Sequence, residues 1–190
     1  MDVRFARELN MNSSAFLSAL NMAMPSRQEL EAYGLSSNEI DGVQGSFIFI
    51  ERNPSGISLA SRSEAERMIV EFDCSALEVG LVRFLDRPRE HRHGVQVAFC
   101  ETDPIVVCPD GTVAMYDHAN ADKAVNCAAD SEHFLDGLSV FLTVRREKAK
   151  WKGRVQEAAA LCANKAGGLL YMEFFRLLCG FIGGGVHKGS

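Results

Sequence analysis

From Gly94 onward the apolar positions fall into short alternating runs. "GVQVAFCE" sets Val95, Val97 and Phe99 against Gln96, Ala98 and Cys100, the period-two pattern of a half-buried strand. "PIVVCPDGTVAMYD" places β-branched and aromatic runs on either side of Asp110-Gly111. That pair predicts a type I′ turn and an antiparallel hairpin of 104–108 with 112–117. "KAVNCA" reads as a further short strand. The period then becomes helical. Phe134, Leu138, Phe141 and Leu142 form a stripe behind Asp130, a predicted N-cap, with Glu132 in the first turn, where the helix dipole favours an acid. Gly137 costs that helix about 1 kcal/mol relative to Ala, which predicts a close approach by another segment.

Upstream, Val3, Phe5, Leu9, Phe16, Leu20 and Met24 have helical spacing. "PSRQELEAYGL" predicts a second helix with Pro25 in its first turn and Gly34 at its end. "GSFIFIERNPSG" predicts a strand between Gly45 and Asn53-Pro54. "RMIVEFD" and "GLVRFL" are strand candidates, the first alternatively the continuation of a helix begun in "SEAER". Downstream come a basic run, "RREKAKWKGR", an Ala-rich helix stopped by Gly167-Gly168, and the strongly apolar helix "LLYMEFFRLLCGF". The expected fold is α/β (α+β): a twisted, mostly antiparallel sheet of about five or six strands with helices packed on it. Residues 1–144 form the expected domain, and 145–190 a C-terminal helical extension with a flexible Gly-rich tail.

The stretch from about Gly80 to Val144, about a third of the chain, resembles the SUKH superfamily. The residues that carry the likeness are Ile105, Val106, Asp110, Gly111, Val113, Tyr116, Asp117, Val125, Asn126, Phe134, Leu135 and Leu138. They follow that family's order: an apolar strand, a "DG-x-V…D" hairpin, a short strand and an acid-led helix with an "F-L-x-x-L" stripe. The family consists mainly of bacterial immunity proteins that neutralise polymorphic or contact-dependent toxins, and it includes the yeast cell-wall assembly regulators. The resemblance implies a protein-binding, non-enzymatic role with no cofactor.

Charge sharpens that expectation. The chain carries a formal net charge of −5, which argues against nucleic acid as a partner. Between Glu101 and Asp136 eight acids face one base, Lys123, a net of −7. From Gly137 to Lys165 the net is +5. Asp110 and Asp130 have turn and cap roles. Glu101, Asp103, Asp117 and Asp122 are the predicted partner-binding residues, an acidic face that steers a basic toxin such as a nuclease.

Other chemistries are weaker. His91, His93, His118 and Cys100 or Cys108 lack metal-ligand spacing, so no metal is expected. The six cysteines form no C-x-x-C pair and mostly sit in apolar company, as structural thiols of a reducing compartment do. A cysteine with His118 or His133 and an aspartate leaves a small cytosolic cysteine-dependent hydrolase as the alternative. The basic run with Trp151 reads as a solvated helix face. No apolar run reaches the ~18 residues that span a bilayer. The N-terminus has Asp2 and Glu8 where a signal peptide would be basic. A cytoplasmic protein with no membrane partner is therefore expected.

Overall fold

A computed structural model describes residues 13–52, 60, 62–120 and 122–180. Residues 3–12 of the predicted first helix, the Asn53-Pro54 strand boundary and the Gly-rich tail lie outside them. The architecture is α+β: a curled six-stranded antiparallel sheet, a two-stranded sheet, and helices that include a C-terminal set.

Among the described residues, three Ser-x-x-Glu boxes organise the first half. Helix α1 (Ser13–Ala23) buries Phe16, Leu17 and Leu20. Ser26 caps α2 (Arg27–Ala32), and the Glu29 carboxylate returns to the Ser26 N–H at 2.8 Å. Pro25 therefore precedes the cap instead of entering the first turn. Glu39 reaches the Ser36 N–H at 2.8 Å to start α3 (Ser37–Gly45), a helix the apolar pattern does not predict because it buries only Ile40. The predicted strand over 45–54 shrinks to β1 (Ile50–Glu51), which pairs with the equally short β2 (Phe72–Asp73). "RMIVEFD" divides between its two readings: α4 (Glu64–Glu71) behind a Ser63 cap, then β2.

The main sheet follows chain order: β3 (Glu78–Val79), β4 (Val82–His91), β5 (Gly94–Cys100), β6 (Asp103–Val107), β7 (Val113–Tyr116) and β8 (Ala124–Ala128). The predicted hairpin pairs Ile105 with Met115 and Val107 with Val113. Its turn is not type I′. The Cys108 N–H donates to Thr112 O at 2.8 Å, the Gly111 N–H donates to Cys108 O at 2.9 Å, and only Gly111 has positive φ, at 91°. Pro109 holds a negative φ and lacks the N–H that a two-residue turn needs from it, so the loop is a three-residue turn ending in left-handed Gly111. In β5 a register shift between Gln96 and Ala98 breaks the expected alternation. Val97, Ala98 and Cys100 are all buried while Phe99 is only half-buried, as an extra residue in a bulge changes which face follows it.

Asp130 caps α5 (Ser131–Arg146), its Oδ1 accepting the His133 N–H at 2.9 Å. The predicted stripe of Phe134, Leu138, Phe141 and Leu142 is buried. After α6 (Lys148–Trp151), α7 (Val155–Lys165) ends at Gly167 and Gly168, with φ of 111° and 130°. A 3-10 turn (Leu169–Tyr171) leads to α8 (Met172–Gly180). The Ala129 N–H donates to Ala166 O at 2.9 Å, tying the end of the sheet to the end of α7. A Cβ at Gly137 would lie 2.5 Å from the Phe175 ring, so α5 is bare where α8 presses on it. One buried cluster joins Ile105, Val113, Met115 and Cys127 of the sheet to Phe134, Cys162, Phe174 and Phe175 of the helices.

Candidate functional site

Antiparallel register assembles the acidic residues. Pairing of Cys100 with Asp103 leaves Glu101 and Thr102 as a two-residue loop, and Glu101 takes a φ of 55°, the left-handed geometry that primed hairpin turns require at their first position. Because Ile105 faces Met115, the start of β6 lies beside the end of β7. Asp103 Oδ1 there accepts the His118 N–H at 3.0 Å and lies 2.6 Å from His118 Nδ1. Thr102 Oγ1 is 3.1 Å from the same nitrogen. Ligand atoms of Asp103, Asp117 and His118 lie within 4.8 Å of one another.

Each predicted residue has a definite place. Glu101 is exposed in the turn, its N–H donating to Leu81 O at 3.0 Å. Asp117, expected to have no turn role, has one: its Oδ1 accepts from the N–H groups of Ala119 at 2.8 Å and Asn120 at 3.1 Å. The chain must reverse between β7 and β8, and a short acceptor side chain satisfies the backbone donors there. These two bonds, with His118 and Lys123 nearby, hold the Asp117 carboxyl below the usual range. Asp122 turns away from the cluster, 89% exposed, and pairs with Arg92 at 3.1 Å. The structure thus gathers Asp103 and Asp117, sets Glu101 in the adjoining loop, and directs Asp122 toward the β4–β5 hairpin.

His118 is the residue that charge counting misses. Its bond to Asp103 raises its pKa above 6.5, aided by the charges of Asp103 and Asp117. A protonated His118 supplies positive charge between the two acids, and both Oδ1 atoms already accept hydrogen bonds.

A second feature lies on the sheet face away from the main core. Gln96, Val106, Ala114 and Asn126 form one cross-strand row. The register of β4 breaks between Phe84 and Arg89. Its distal half curls over this row. Gly94 permits the crossing: a Cβ there would stand 2.1 Å from Val107 O. The His93 ring stacks on Tyr116 with centroids 4.3 Å apart. The resulting open groove, about 500 Å³, is lined by residues that include Arg92, His93, Cys108, Thr112, Tyr116 and Asn126.

Arg92 Nε donates to His93 Nε2 at 2.9 Å, and the His93 N–H donates to His91 Nδ1 at 3.4 Å. Both rings therefore use a lone pair as acceptor. Burial, with His93 and Arg92 adding, lowers the His91 pKa. Cys108 Sγ lies 3.5 Å from the Tyr116 hydroxyl. Burial first, and that contact second, push the Tyr116 phenol up to about 12. Cys108 alone among the six free cysteines is not buried. Burial pushes the Cys74 and Cys100 thiols up to about 12 and that of Cys127 higher than usual.

The chain matches no family model, no curated protein and no solved structure. Among the described residues no helix is long and apolar enough to cross a membrane.

Proposed function

We propose that this protein is a binding protein that neutralises a cognate bacterial toxin by covering its active face. The acidic end of the sheet is the docking surface in this reading. The observation that carries it is the convergence of Asp103 and Asp117 about His118, with Glu101 in the neighbouring turn. Two carboxylates fixed by backbone and imidazole bonds present negative charge without further ordering, and ordering is a main cost of association. Charge of one sign on one face accelerates encounter with a basic partner. The likeness of the hairpin and α5 to the SUKH pattern points to toxin neutralisation in particular. The test is co-expression with a toxin domain encoded beside the gene. Protection of growth, with a complex that survives gel filtration, is the expected result. A toxin that kills at full rate and elutes alone overturns the reading.

One observation favours a second reading, a small cysteine-dependent hydrolase. Cys108 opens onto a groove it shares with His93. Catalysis needs a thiolate within reach of a base. Stoichiometric loss of a measured esterase activity in C108S would establish that reading, and retention of toxin protection by C108S would separate the two.

A further inference from the structure

The acidic end leaves unused the most basic part of the chain. Arg145, Arg146, Lys148, Lys150, Lys152 and Arg154 fall within ten residues, interrupted by one acid, Glu147. All six are exposed. The fold joins them to other elements. Arg146 Nη1 donates to Met22 O at 2.5 Å, at the end of α1, and Arg146 Nη2 lies 3.8 Å from Glu29 of α2. Lys148 Nζ sits 5.0 Å from the centre of the Tyr33 ring, which follows α2. The end of α1, α2 and the α5–α6 segment therefore form one continuous face.

That face also exposes apolar side chains. Met22 is 69% exposed and Tyr33 70%. Met24 adds a third, and Trp151 is half-buried within the basic run. Lys150 and Lys148 differ in their surroundings. Lys150 pairs with Glu147, whereas Lys148 and Lys152 make no ion pair among the described residues.

We propose that this face docks on an anionic lipid bilayer, with the cations against the headgroups and Met22, Met24 and Tyr33 at the acyl boundary. Peripheral attachment combines electrostatic attraction with shallow burial of apolar side chains. Both components occur here in one patch, and the overall negative charge of the chain does not prevent a local basic face from acting within a Debye length.

Nucleic acid fits the same cations less well. Strand binding without sequence preference relies on free aromatic faces for base stacking. Here Trp151 is half-buried, with Lys150 and Arg154 over its ring at 5.2 and 5.3 Å, which leaves Tyr33 as the single exposed ring of the patch. Exposed methionines add nothing to phosphate binding, but they suit an acyl boundary. The sequence expectation of no membrane partner rested on the lack of a spanning run. Lying on a surface needs no span. This inference does not depend on the docking role of the acidic end, because the two surfaces share no residue.

Trp151 is the only tryptophan in the chain and lies half-buried between the patch and the core, so its emission gives a secondary readout beside sedimentation. The experiment is sedimentation of the full chain with vesicles of phosphatidylcholine alone and of phosphatidylcholine carrying about 30% phosphatidylserine, the anionic lipid of cytoplasmic leaflets. The expected result is binding to the anionic vesicles only, reversed by salt, with a shift in Trp151 emission. Each lysine near such a surface contributes about fivefold to the binding constant, so K148E/K152E should bind at least tenfold more weakly. M22S/M24S should lose a further, smaller factor. Both pairs change exposed side chains, and circular dichroism melting curves check that the fold persists. Failure to bind anionic vesicles at low salt, equal binding to neutral ones, or full binding by K148E/K152E overturns the proposal. Tighter binding to a single-stranded oligonucleotide than to the vesicles reassigns the face to nucleic acid.

Discussion

Replacing Gly94 by alanine tests how the β4–β5 hairpin is held over the sheet. Gly94 and Gly111 both have positive φ, 145° and 91°. Around Gly111 a Cβ meets open space, whereas at Gly94 it would stand 2.1 Å from Val107 O and 3.0 Å from Cys108 Cα. Alanine at 111 therefore incurs backbone strain alone, about 1–2 kcal/mol. At 94 it incurs comparable strain and must also displace a backbone carbonyl, an overpacking cost of about 1–3 kcal/mol, for a total of about 2–5 kcal/mol. Urea denaturation of the two variants, with equal m-values required, gives the comparison. G94A should lose at least about 1 kcal/mol more than G111A, the lower end of the overpacking range. Equal losses would refute the close crossing, and with it the groove that depends on the hairpin lying over Tyr116.

Three further outcomes follow from the site. Under native conditions a thiol reagent should label one cysteine, and C108S should abolish the labelling, because the other five are buried. NMR titration of His118 should give a pKa above 6.5 that falls in D103N, since the Asp103 bond is the largest cause of the rise. A raised folded-state value means that the stabilisation from this pair is complete below pH 6.5 and disappears as pH rises through the folded value. The difference in stability between the parent protein and D103N should therefore shrink toward alkaline pH. D117N should keep the β7–β8 turn, because an amide oxygen accepts the same two N–H groups, whereas D117A should lose about 1 kcal/mol, the net worth of exchanging those bonds for water.

The sheet was legible where local chemistry and pattern agree. The Asp-Gly hairpin, "KAVNCA" and the Asp130-capped helix needed only period and cap. Gly137 announced its contact with Phe175 because a glycine within a good helix needs a packing reason. Elsewhere tertiary partners decided. "FIFIE" has strand composition, yet β2 offers only two residues to pair with it. Helix α3 hid because one buried residue, Ile40, makes no stripe, although Ser36 and Glu39 carried its start signal. Of the site, the acids were readable as charge but not as geometry. Asp103 meets His118 through the β6–β7 register, and that follows once Ile105 is set opposite Met115. The groove was not readable. It depends on a break in β4 and on a glycine whose neighbour lies thirteen positions away, at Val107.

The central claim of the proposed function is electrostatic docking by the acidic end, and the association rate with a cognate toxin, measured across ionic strength, tests it most directly. The comparison is between the parent protein and E101K/D117N. Glu101 is exposed and an asparagine at 117 keeps an oxygen for the Ala119 and Asn120 N–H groups, so stability should move by less than about 0.5 kcal/mol. Steering predicts an on-rate that falls with salt, and at low salt a drop of about tenfold in the variant, with a shallower salt dependence. An on-rate indifferent both to salt and to the two substitutions would contradict the account.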